Sequence, residues 1–306
     1  MTDLIQFYEF IYDRQKIWHN RHMLKQPAPW STDPVFQNFK FCNMYRQLDG
    51  GTIALTNHLI GKETPPDQKL LNIIAYRIFN KRDTFERLFD GVLCPRQFDF
   101  KKLEKRLDTV SGPLFSDAYL ISSHPVNPAY RPHDKHVQVL MMLEKLIPCL
   151  PDFLKELKNK DGQAGLAIVE KYVAMAGPFL SGQILLDCTY SKNASQRPDL
   201  VPYTANDFLI VGPGAHWGLN ILSGRKLSKK EADAKCRFLY AAQKEYFDLL
   251  KKHNGKDWYT VKWQNINYCG GDYLCLHDIQ GALCEFRKYT RLKSGQKAKK
   301  RYFKKG

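Results

Sequence analysis

The chain has 306 residues, 43% of them apolar, a formal net charge of +16 and eight cysteines. That length supplies a substantial core in one large domain or two ordinary ones. No run of about eighteen apolar residues marks a membrane span, and the N-terminus lacks the basic and apolar segments of a secretory signal, so a soluble cytosolic protein is expected. The cysteines contain no Cys-x-x-Cys pair and suit a reduced compartment, and the wide gap after Cys236 excludes an iron–sulfur cluster on Cys236, Cys269, Cys275 and Cys284.

Residues 3–25 have the apolar spacing of one long helix (Leu4, Phe7, Tyr8, Ile11, Trp18), ended by Pro27 and Pro29. A turn at Trp30–Pro34 leads into Phe36–Leu48, which is expected to end in a helix. Asn43, Arg46 and Asp49 are at helical spacing there and would share one face, whether solvated or functional. Residues 66–90 predict two helices, broken near Asn80–Asp83, with Asp83 as a cap. Residues 91–134 are rich in Pro, Gly, Ser and His and hold a short helix at 101–108 and an apolar segment at Leu114–Ile121. They are the expected place for a subdomain boundary or mobile loop. Helices follow at 136–147, 151–158 and 164–175. Ser228 and Glu231 form a capping box for a helix running to His253, closed by Asn254 and Gly255. Trp258–Trp263 alternates and is the one strand-like segment, and Asp278 stands where an N-cap belongs. The expected fold is all-α, with at most a minor β element and roughly eight to eleven helices. It is read as a single domain over 1–286 followed by a basic tail over 287–306.

That tail carries Arg287, Lys288, Arg291, Lys293, Lys297, Lys299, Lys300, Arg301, Lys304 and Lys305 with no carboxylate side chain among them, interleaved with Tyr289, Tyr302 and Phe303. Such a block is either solvated or bound to nucleic acid, and the aromatic residues favour DNA; nothing nearby suggests a membrane surface. The sequence contains no Gly-x-x-x-x-Gly-Lys-[Ser/Thr], Gly-x-Gly-x-x-Gly or Gly-x-Ser-x-Gly motif and no His-Glu-x-x-His, so neither a metal nor a cofactor is expected. Gly212-Pro213-Gly214 separates the apolar run Phe208–Val211 from the helical spacing of Ala215, Leu219 and Leu222. Taken alone, it is either a plain connector or a turn that presents main-chain N–H groups to a phosphate.

Six phrases, in order along the chain, resemble one family: Phe7–Gln15, Pro29–Pro34, Lys40–Asp49, Gly177–Asp187, Gly212–Ala215 and Asp278–Phe286. The sequence is similar to the alpha-glutamyl/putrescinyl thymine pyrophosphorylases of phage DNA hypermodification, a group distantly similar to helix-hairpin-helix DNA glycosylases. The resemblance implies a glycosylase-like helical bundle with DNA as its substrate and a target base taken out of the stack. It turns Gly212, Gly214, Ala215 and His216 into an expected DNA-backbone-gripping hairpin, joined by Arg291, Lys293, Lys300 and Arg301. Its carboxylates, Asp187, Asp278 and Glu285, become the catalytic candidates, although Asp278 also reads as a helix cap and Glu285 as a partner of Arg287 or Lys288. Asn43, Arg46, Gln183 and Tyr190 become the base-recognition candidates, since amides and Arg read base edges and an aromatic ring stacks. The catalytic Asp that glycosylases carry after their hairpin has no convincing counterpart, because Asp233 lies in a strongly charged helix. The leading expectation is a monomeric, monofunctional DNA glycosylase that excises a hypermodified pyrimidine, such as glucosylated hydroxymethylcytosine, from phage DNA in antiphage defence. The alternatives are an amino-acid or polyamine transferase acting on activated 5-hydroxymethyluracil, and a non-catalytic DNA-binding module.

Overall fold

The computed structural model describes residues 2–60, 64–116, 133–191, 198–263, 271–296 and 298. Among them the α-helices are α1 (Thr2–Trp18), α2 (Pro34–Asn38), α3 (Gly50–Leu55), α4 (Pro66–Phe79), α5 (Arg82–Phe89), α6 (Phe100–Asp108), α7 (Lys135–Leu146), α8 (Leu150–Lys158), α9 (Gly162–Tyr172), α10 (Pro178–Cys188), α11 (Pro213–Ser223), α12 (Lys229–Ala241), α13 (Gln243–Asn254) and α14 (Leu276–Lys293). No strand or sheet occurs among the described residues, and the fold is all-α as expected. Much of the expected segment Leu114–Ile121 lies outside the described residues, as do Lys300 and Arg301.

Three local expectations are corrected. The helix expected over 228–253 is two helices meeting at Ala242 (φ −83°, ψ 1°). This break places the Gln243 amide so that its Nε2 donates to the Leu274 carbonyl at 2.9 Å and its Oε1 accepts the Leu274 N–H at 3.0 Å. Trp258–Thr260 is a tight 3-10 turn rather than a strand, because the Asp257 carboxylate accepts the Tyr259 N–H at 3.1 Å and closes it. Asp83 lies in the first turn of α5, whose N-cap is Lys81, and Asn80 ends α4 with φ 46°.

Contacts gather the chain into two compact units, Met1–Asp49 with Val211–Gly306, and Gly50–Ile210. In the second unit α4 is buried at every position from Leu70 to Phe79, its polar Asn72 and Arg77 included, each with hydrogen-bond partners. Helices α8 and α10 pack on it, and α9 packs on α10. Asn72 reconciles this interior with a loop, its amide exchanging two 2.7 Å bonds with the main chain of Leu93. Residues 91–116 and 133–134 lie within this unit.

The first unit is organised by α1 and α14. Phe7 and Phe10 of α1 meet Phe286 of α14 at 5.4 and 5.6 Å between ring centroids, and Phe36 of α2 stacks on Tyr289 at 5.0 Å. On the other side of α1, Tyr8 stacks on Tyr246 of α13 at 4.9 Å and donates its hydroxyl proton to the Leu239 carbonyl. Aromatic pairs of this kind add to area burial and fix orientation. Residues 287–293 of the expected tail are the end of α14.

Candidate functional site

The segment Phe39–Asp49 is a loop with one 3-10 turn, Arg46–Leu48, and not the helix its spacing suggested. Asn43 nonetheless collects its neighbours. Its N–H donates to Asp49 Oδ1 at 2.9 Å, its Nδ2 donates to the Leu48 carbonyl at 2.6 Å, and its Oδ1 accepts from Arg14 Nη2 at 2.6 Å. The Arg14 guanidinium also donates to the Phe41 carbonyl at 3.0 Å. The other wall of the loop is α14. Asp278 Oδ1 accepts the Arg46 N–H at 2.8 Å, Glu285 Oε2 accepts the Cys42 N–H at 3.0 Å, Lys288 Nζ donates to the Lys40 carbonyl, and the Tyr289 hydroxyl donates to Asp33 at 2.6 Å.

Four sequence candidates, Asn43, Arg46, Asp278 and Glu285, therefore converge in the first unit. Asp278 is not the N-cap expected. Cys275 holds that position and Asp278 stands at N3, where its Oδ2 accepts the Cys275 N–H at 3.1 Å. Burial pushes the Asp278 carboxyl up to about 6, against the lowering pull of the Arg46 and Cys275 N–H groups and the Arg46 charge. Burial also raises Asp49, opposed by Arg46, the Asn43 N–H and Arg14, and it lowers Arg14, opposed chiefly by Asp49. Arg46 Nε and Gln47 Oε1 are buried without a hydrogen-bond partner. Arg14 also belongs to this site, although it is not among the residues expected there from sequence. The signal was its place in the phrase Phe7–Gln15.

A titration follows from the Asp278 environment. Its folded-state value lies above the ordinary aspartate value, so the protonated form is favoured by folding; that stabilisation is complete below about pH 4 and is lost as pH rises through about 6. Relative to the non-titrating Asp278→Asn, wild type is expected to lose on the order of 3 kcal/mol across this window. Urea unfolding of both proteins from pH 4 to 8 measures the difference, and a pH-independent gap would contradict the assignment.

The remaining candidates have other surroundings. Asp187 is fully buried on α10 and forms a bidentate pair with Arg77 of α4, at 2.5 Å from Nε and 2.6 Å from Nη2. Gln183 and Tyr190 are also buried in that second unit, 6% and 5% exposed. Gly212 caps α11 and Pro213 opens it, so a helix does begin at Gly-Pro-Gly. Among the described residues the helix before it is α10, which ends at Cys188; residues 192–197 lie outside the described residues. Ala215 is wholly buried, and His216 Nε2 lies 2.8 Å from the Leu227 carbonyl. The glycines have a packing role: a Cβ on Gly214 would fall under 3.0 Å from Cys284 Sγ, and one on Gly218 equally close to the Leu283 carbonyl oxygen, so α11 lies directly against α14. Arg291 and Lys293 occupy the last turn of α14. Among the described residues no group of three His, Cys, Asp or Glu is placed to hold a metal, and no helix is long and apolar enough to cross a membrane.

Comparison with known proteins agrees with the sequence in pointing to phage hydroxymethyluracil DNA modification. It lends no support to glycosylase resemblance. The chain is 27% identical over 220 residues to the 5-hmdU DNA kinase of Bacillus phage SP10, an alignment covering 68% of this chain and 34% of the phage protein. This chain thus matches only about a third of that relative's length. No solved structure matches. The sequence profile described as "5-hmdU DNA kinase, helical domain" matches residues 2–299, nearly the whole chain, and the chain belongs to that family.

Proposed function

We propose that this chain is the base-handling domain of a DNA hypermodification enzyme. It holds DNA carrying 5-hydroxymethyluracil, or a phosphorylated form of that base, while the 5-methylene substituent is exchanged and the glycosidic bond stays intact. What carries the reading is the family match across 2–299. The site's chemistry supports it. A base must leave the stack to be modified, and its 5-substituent then needs donors for an oxygen or phosphate. Arg46, with a buried Nε–H lacking an acceptor, supplies one, and Asp278 positions that residue by accepting its main-chain N–H at 2.8 Å. In a phosphoryl transfer the chain's share is to hold the acceptor base.

Excision is less well served. A glycosylase needs a carboxylate at C1′, whereas Asp187 is enclosed with Arg77, and Asp278 and Glu285 are each bonded to main-chain N–H groups.

The test is binding and mass analysis on oligonucleotides that contain one thymine, one 5-hydroxymethyluracil or one phosphorylated 5-hydroxymethyluracil. Preference for a modified base of about 10-fold is expected, with Arg46→Ala removing it, since a well-aimed arginine contact is worth that much discrimination. Equal affinity for all three would sink the reading. Release of a free base with alkali-labile strands would replace modification by excision.

A further inference from the structure

The outward face of α11 carries Pro213, Trp217 and Ile221 one turn apart, with Trp217 58% and Ile221 40% exposed. The helix beneath them is held against α14 at Gly214 and Gly218, so the indole stands on a fixed support. Helix α11 has no Asp, Glu, Lys or Arg of its own. Beside Trp217, however, the Arg287 guanidinium lies 5.6 Å from its ring centroid. Arg287 is also the first residue of the stretch in which every charged side chain is a cation. One helical turn further on, Arg291 has a buried Nε–H with no acceptor.

An exposed indole can serve either a protein partner or a nucleobase. A protein partner is favoured by an apolar surround with opposite charges at its rim, whereas the charges on this side of α14 are the cations Arg287, beside the indole, and Arg291, one turn further on. A polyanion with flat apolar rings matches both halves of this surface: bases stack on aromatic side chains whatever their sequence, while Arg and Lys take the phosphates. We propose that a DNA strand crosses α11 and the C-terminal half of α14, one base stacked on Trp217 and the neighbouring phosphates on Arg287 and Arg291. This rests on the DNA-handling reading above but does not require the stacked base to be modified, since nothing at Trp217 distinguishes one base from another.

The experiment is fluorescence anisotropy with unmodified single-stranded DNA, using the full chain, Trp217→Ala, Trp217→Phe, Arg287→Ala and Arg291→Ala. Trp217→Ala is expected to weaken binding about 10-fold with the salt slope unchanged, and Trp217→Phe to keep affinity within about 3-fold, because the ring face is what binds. Each Arg variant is expected to lower the salt slope by about one. Wild-type affinity in Trp217→Ala overturns the proposal, as does a self-association that only Trp217→Ala abolishes, which would give this face to a protein. Loss of the 5-hydroxymethyluracil preference with the Trp217 effect intact would sink the proposed function and leave this inference standing.

Discussion

Arg77→Met is expected to destabilise the second unit by about 3–5 kcal/mol, because it strands the Asp187 carboxylate in the interior without its partner. The side chains of the pair are 4% and 0% exposed, so water cannot replace the lost guanidinium. Arg77 also donates to Asn80 Oδ1 at 3.2 Å, which ties the pair to the residue that ends α4. Asp187→Leu alone should cost a similar amount by stranding the cation. The double variant Arg77→Met with Asp187→Leu should recover most of the loss, since an apolar pair of similar volume suits a low-dielectric interior. Urea unfolding followed by circular dichroism reads all three, and a loss below about 1 kcal/mol for Arg77→Met would show that the pair is not sealed from solvent. The same double variant separates structure from recognition: if it folds and still discriminates the modified base, Asp187 has no role in recognising that base.

The second large effect is expected at Gly218. Alanine in a helix interior ordinarily gains up to about 1 kcal/mol over glycine, so Gly218→Ala would stabilise α11 if there were room. There is none, since the added methyl would meet the main-chain oxygen of Leu283, and main chain in mid-helix cannot rotate away. Helix α11 must lift from α14, at an overpacking cost of about 1–3 kcal/mol or more on top of the forfeited gain. Gly214→Ala meets a side chain instead, Cys284 Sγ, so combining it with Cys284→Ala should restore stability, while no substitution at 283 should rescue Gly218→Ala. Thermal unfolding of the three variants decides between these outcomes. Stabilisation by Gly218→Ala would mean that the two helices are not in contact there.

What could be read from sequence was what neighbours within four residues decide. The Ser228 and Glu231 side chains do form their capping box, and Gly255 ends α13 at φ 65°. Asn43, Arg46 and Asp49 were grouped for the wrong reason. Helical spacing put them on one face, whereas the structure gathers them in a loop through the Asn43 bonds to Asp49 and Leu48. The second wall of that site was illegible, because Asp278 and Arg46 are 232 residues apart in the chain and no local pattern pairs them. The partner of Asp187 was hidden in the same way: Arg77 sits in a run of apolar residues that reads as ordinary amphipathic helix. Gly214 reads in sequence as a connector or a phosphate-facing turn, and only a second helix lying on it and on Gly218 reveals that their missing side chains are the point of contact.

The grip of α14 on the 33–46 segment falls mainly on main-chain atoms, the N–H groups of Cys42 and Arg46 and the carbonyl of Lys40, with Arg14 holding the carbonyl of Phe41. Main-chain atoms are the same whatever residue bears them. The bonds by which α14 sets this loop's posture are therefore ones that any non-proline residue at 42 or 46 makes. Under the proposed function, the base-contacting side chain at 46 is thus open to change without loss of α14's hold on its main chain.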